Sequence, residues 1–169
     1  MQLLKILSIL FISIFFIFPA NAAGSSSNDS KVSNDSRANS YFKLAKVAIK
    51  QAKKYQEKGK KEKSINKFNF ALKNLTKANK EDPDNPDILN LLGFSYRKTG
   101  DFIMAEIYYK QGLEIDPTHV GINEYLGELY VQTNRSDLAN ERLKVLENCN
   151  CEEYNQLKQV IAGAKESKY

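Results

Sequence analysis

A five-residue pattern in this chain returns after 34 positions with its Leu, Gly and Tyr kept: Leu92-Gly93-Phe94-Ser95-Tyr96 is followed by Leu126-Gly127-Glu128-Leu129-Tyr130. A fixed period of that length marks a chain built from stacked supersecondary units, none of which can bury its apolar face alone. Around the first copy, one unit holds Leu89, Leu92, Gly93, Tyr96, Gly100, Phe102, Ala105, Tyr109, Gly112, Leu113 and Pro117. The number and order of these positions make the pattern specific, where an isolated Leu-Gly pair would not be.

That ordered set resembles the tetratricopeptide repeat (TPR), with Leu89 at the tryptophan-type place and Gly112 where alanine is usual. The resemblance implies an all-α fold, a right-handed superhelical solenoid of helix-turn-helix hairpins closed by a C-terminal capping helix. It also gives the signature residues their roles. Gly93 and Ala105 are expected where the two helices of a hairpin cross closest, and Tyr96 and Tyr109 between that hairpin and its neighbour. Gly100-Asp101 makes the turn, since glycine tolerates positive φ. Pro117 ends the second helix, because the residue before a proline leaves the α region.

The flanking units depart from the pattern. The third keeps Leu126, Gly127, Tyr130, Ala139, Leu143 and Leu146, but has Asn123 at the large-aromatic place, Asn134 for the turn glycine and Cys151 for the proline. Asparagine is the next-best residue for left-handed backbone. In the first unit a shift of 41 aligns Ala52, Tyr55, Gly59, Ser64, Phe68, Ala71 and Leu72 with Gly93, Tyr96, Gly100, Ala105, Tyr109, Gly112 and Leu113. The seven extra residues predict an overlong second helix over about 64–80, and the stripe Ile65, Phe68, Leu72, Leu75, Ala78 supports one continuous helix. Tyr154, Leu157, Val160, Ile161 and Ala164 form the single apolar face a capping helix needs. The expected organisation is a signal peptide over 1–22, a polar tether over 23–40 and a repeat domain over 41–168. Its units fall at about 41–83, 84–119 and 120–151, with the capping helix at about 152–166.

The N-terminal expectation rests on Lys5, an apolar run over Ile6–Phe18, and Ala20-Asn21-Ala22 before a cleavage point. That run is shorter than the roughly 20 residues of a membrane span, so cleavage after Ala22 is the main reading and a retained anchor the alternative. Residues 24–40 are almost entirely small and polar, which predicts a flexible tether. With export and a Lys/Asn/Ile-rich usage, the expected location is a bacterial periplasm, the mature chain soluble with peripheral envelope contact and no nucleic-acid partner.

Charge is divided along the chain. Residues 41–80 carry 13 lysines against Glu57 and Glu62, a net of +11, whereas residues 81–169 have a net of −7. A solvated lysine face accounts for this. A basic surface at Lys46, Lys50, Lys53 and Lys54 that meets an acidic partner or an anionic lipid or polymer is the sharper reading.

Candidate chemistry is sparse. His119, the one histidine, follows the Pro117 turn and reads as a surface residue rather than a catalytic base. Cys149 and Cys151 suggest a local disulfide in an exported chain, with free thiols or a redox or metal role as the alternatives. The TPR resemblance implies a groove lined by the first helix of each hairpin. It points to Asn90, Phe94, Arg97, Tyr125 and Glu128 as the surface for a protein or peptide, with no catalytic residue, metal or cofactor. The lysine and asparagine clamp for C-terminal carboxylates is not reproduced, since Ile49 and Lys53 stand at its first-repeat places and Asn90 is one position early. The implied function is a non-enzymatic envelope scaffold. A thiol-active factor or a basic-surface module are the other readings.

Overall fold

The computed structural model describes residues 27–163, with side chains from residue 35. The expected signal peptide lies outside the described residues. Among those described, the chain forms seven α-helices and no strand: α1 Ser27–Glu57, α2 Lys61–Glu81, α3 Pro86–Thr99, α4 Phe102–Ile115, α5 Val120–Gln132, α6 Ser136–Leu146 and α7 Glu152–Ile161. They pair in sequence as hairpins α1–α2, α3–α4 and α5–α6, each stacking on the next, and α7 packs against α5 and α6.

Local chemistry sets the boundaries. Asn85 caps α3 by accepting from the amides of Asp87 and Ile88, and Pro86 opens the helix where a missing N–H costs nothing. Asp101 caps α4 through Met104 N at 3.0 Å. The three hairpin turns need left-handed backbone, at Gly59 (φ 67°), Gly100 (φ 91°) and Asn134 (φ 58°), so asparagine does serve in the third.

The first hairpin follows the 41-residue register. Ser64 Oγ donates to the carbonyl of Ala52 at 3.0 Å, joining the residues that stand at the Ala105 and Gly93 places. α2 runs unbroken for 21 residues, with Phe68, Ala71, Leu75 and Ala78 buried. Its extra turns explain a correction. Residues 27–40, expected as part of the tether, are helical and extend α1. An overlong α2 exposes its last turns unless its partner lengthens too. Ala38 is buried, and Arg37 reaches Glu81 at 3.2 Å. Polar composition was a poor guide here because helices are stabilised mainly by tertiary packing.

Tyr96 and Tyr109 border the next hairpin as expected, since Tyr109 is buried in one cluster with Ile122 and Leu126 of α5 and Tyr96 packs against it. Tyr109 also fills space in its own hairpin: a Cβ on Gly93 would lie 2.5 Å from the Tyr109 ring, so the glycine makes room for that side chain. Tyr96 stacks on Tyr108, centroids 5.4 Å apart, also within its own hairpin. Gly127, at the place of Gly93, receives Leu157 of α7 instead, with Leu157 Cδ2 2.6 Å from its would-be Cβ. The capping helix thus inserts a knob into the last repeat, and it ends at Ile161.

Candidate functional site

The first helices of the three hairpins, α1, α3 and α5, converge on the ring of Phe94. Lys53 of α1 stands over that ring with Nζ 4.8 Å from the centroid, and Lys98 of α3 at 5.6 Å. Tyr125 of α5 lies against it at 5.0 Å between centroids, while Phe68 of α2 meets it edge-on at 5.8 Å from behind. Three repeats therefore contribute to one aromatic floor with cations above it, an arrangement cation–π attraction favours.

The floor is closed rather than open. Phe94 is 1% exposed and Arg97 3% exposed, and Asn90 and Glu128 are buried too, which corrects the expectation that these side chains form the open surface of a groove. Arg97 pairs with Glu128 at 2.9 Å, each side chain 1% exposed, and also donates to Gln132 Oε1 at 3.3 Å. Such a pair fixes the register of α3 on α5 more than it adds stability, because desolvating two charges offsets most of their attraction. Of the five expected groove residues, only Tyr125 is half-exposed. Neighbouring first helices lie close enough for their facing side chains to bury one another, Phe94 against Tyr125 and Arg97 against Glu128.

Glu124, one turn before Glu128, is buried as well. Burial, with Glu128 and Glu153 of α7 nearby, pushes its carboxyl up to about 8. Burial and the adjacent Arg97 lower Lys98 to about 7, with Lys53 adding to the effect and Glu128 opposing it. No sequence signal reveals which inward charge is desolvated.

The expected basic surface divides in two. Lys46, Lys50 and Lys54 are exposed, Lys46 standing over Phe42 at 4.5 Å, whereas Lys53 is half-buried in the floor. Cys149 and Cys151 form a disulfide, with Cα atoms 5.2 Å apart and Asn150 between them at φ 50°. His119 is not a plain surface residue. Its Nδ1 accepts from Ile122 N at 3.1 Å and so caps α5, which leaves the ring proton on Nε2 to donate to Asp87 at 3.2 Å. The ring ties α3 to α5 at the start of both helices.

Residues 86–119 match the tetratricopeptide repeat family model. A solved structure of the first TPR of Spaghetti (RPAP3), bound to the HSP90 peptide SRMEEVD, is similar over 73% of this chain and 96% of that one, at 22% identity and a TM-score of 0.53. The Arabidopsis OM64 TPR domain is similar over 74% of this chain and 99% of its own, at 13% identity and a TM-score of 0.49. The stack of hairpins is a TPR fold.

Proposed function

We propose that this chain is a non-enzymatic interaction module that holds a protein or peptide segment against the face formed by α1, α3 and α5. The observation that carries the reading is the convergence of Lys53, Lys98 and Tyr125, from three successive hairpins, over the Phe94 ring. Aromatic side chains on a rigid support are the usual anchors of interfaces, and preorganisation reduces the entropy lost on binding. The similar Spaghetti domain was solved with a peptide bound, which supports a peptide as the class of partner. The partly exposed cations favour an acidic segment.

Export is part of the proposal. The apolar run Ile6–Phe18 and Ala20-Asn21-Ala22 support cleavage after Ala22 and delivery to a bacterial periplasm, where the protein would act as an envelope scaffold. The test is crosslinking and pulldown from the envelope fraction, with Tyr125→Ala compared against the wild-type chain. Loss of the captured protein in the folded variant is the expected result. Equal capture by both would overturn the site.

A second reading is favoured by one specific observation. The outer face of the first hairpin leaves Leu44, Val47 and Phe70 about half exposed, amid lysines that include Lys73 and Lys77. A solenoid end is ordinarily polar. A basic face with apolar residues suits an anionic lipid surface or an acidic polymer.

A further inference from the structure

We propose that the Cys149–Cys151 disulfide is an exchange site that oxidises paired thiols of a polypeptide with basic residues beside them. The site lies in the hinge between α6 and α7, apart from the face formed by α1, α3 and α5. The bonded cysteines stand two positions apart in sequence, and both are partly exposed. Closing so short a loop restricts the unfolded chain very little, so the bond adds little to the stability of the fold. The coupling is reciprocal: a fold that gains little from a disulfide does little to protect it from reduction. Exposed disulfides of this kind are the labile ones, unlike crosslinks between distant packed segments. Asn150, inside the ring, takes left-handed backbone at φ 50°. Opening the ring frees Asn150 to leave that region, which favours the dithiol further.

The surroundings give the exchange a direction and a substrate. An opening of about 460 Å³ lies beside the bond, and of the two cysteines Cys151 borders it. Leu146 and Tyr154 form its apolar side, Glu147 and Glu152 bring carboxylates to it, and among the described residues no cation lines it. An incoming chain with basic residues beside its thiols is complementary to those carboxylates, and an anionic thiol is repelled. The first substrate thiolate attacks Cys151 Sγ from the opening. A bond forms between substrate and Cys151, the Cys149–Cys151 bond breaks, and its electron pair leaves on Cys149, which takes a proton from water. The second substrate thiolate then attacks the first substrate sulfur. The substrate disulfide forms, and Cys151 leaves as a thiolate at the cap position of α7, where free helix amides favour negative charge. The substrate has lost two electrons and two protons, and the cysteine pair has gained them. An external disulfide restores the bond by the reverse exchange.

The experiment mixes the full oxidised chain with either of two reduced two-cysteine peptides, one with lysines beside its thiols and one with glutamates. Alkylation and mass spectrometry follow the oxidation, with an equal concentration of oxidised glutathione as the reference oxidant. The lysine peptide is expected to be oxidised at least tenfold faster by the chain than by oxidised glutathione. It should also react at least tenfold faster than the glutamate peptide at low salt, with the gap closing at high salt. Glu147→Gln combined with Glu152→Gln should cut that preference severalfold. Early quenching should trap the peptide on Cys151 and the alkyl group on Cys149. The double variant Cys149→Ser, Cys151→Ser should keep its helicity by circular dichroism and lose the oxidation. A rate no greater than that of oxidised glutathione, equal rates for the two peptides, or trapping on Cys149 would each overturn the proposal. So would unfolding of the double serine variant, which would make the bond a structural crosslink.

Discussion

Single residues in this fold are constrained by what their neighbours insert beside them. At Gly93 a methyl group would sit 2.5 Å from the Tyr109 ring, which is itself fully buried and has no room to retreat. Gly93→Ala should therefore destabilise by about 1–3 kcal/mol in denaturant unfolding. An unchanged midpoint would mean the ring moves freely and the packing is misread. The buried charges make a second expectation. Glu124 is raised to about 8 from an ordinary 4.5, so the folded chain keeps a proton that the unfolded chain has released, and stability falls as pH climbs through that window. Lys98 is lowered to about 7 from 10.5, so below 7 the fold holds a charge it disfavours, and stability recovers as pH rises from there. Together they place a minimum in the melting temperature between about 7 and 8, where the two windows meet. Glu124→Gln should remove the falling limb and Lys98→Met the rising one. A profile that Glu124→Gln leaves unaltered would show that its carboxyl is not desolvated. The sequence could announce Gly93 through its place in the repeat. It could not announce Glu124, because an inward glutamate reads the same whether wet or dry.

At the scale of elements, periodic patterning foretold more than composition did. The apolar stripe from Ile65 to Ala78 required a long second helix, and α2 is that helix. The polar run before Tyr41 contains no such stripe, and its helical state depends on the burial of Ala38 and on a contact 44 residues away, from Arg37 to Glu81 at the end of α2. That dependence is open to a direct check. Ala38→Asp puts a charge at a site 3% exposed and should cost about 1–3 kcal/mol, whereas a tether residue would tolerate it within about 0.5. Hydrogen exchange should rise over the last turns of α2 in the same variant. Full tolerance would return the segment to the status of a tether. The third hairpin shows the converse case: its departures at Asn123 and Asn134 are absorbed locally. Asn123 Nδ2 donates to the carbonyls of Pro117 and His119 at 3.1 Å each, and Asn134 takes the left-handed turn.

For the molecule as a whole, two faces compete to be the place where a partner sits, and the charge division separates them. The aromatic floor under Lys53, Lys98 and Tyr125 joins three hairpins, so a ligand there senses their relative geometry. The outer face of α1 and α2 belongs to one hairpin alone. The floor was legible only in part. Repeat positions put Phe94 and Tyr125 on first helices, where their rings meet at 5.0 Å, but burial of Arg97 and Glu128 depends on how tightly adjacent first helices approach, which no single repeat encodes. Alanine at Arg97 would therefore be a poor probe, because it leaves Glu128 buried without its partner and costs about 3–5 kcal/mol in stability before any partner is considered. Tyr125→Ala is the cleaner choice, being half-exposed, and is expected to weaken partner binding by about 1–2 kcal/mol or more. Reversing Lys46, Lys50 and Lys54 to glutamate tests the exposed cations of α1 without touching the floor. These should lower the association rate and its salt dependence while leaving dissociation nearly unchanged, since rim charges steer encounter more than they hold a complex. Surface plasmon resonance with the captured partner reads both rates at once. If the triple reversal abolishes binding and Tyr125→Ala does nothing, the lysine-rich hairpin is the site and the floor is only the joint that holds the repeats in register.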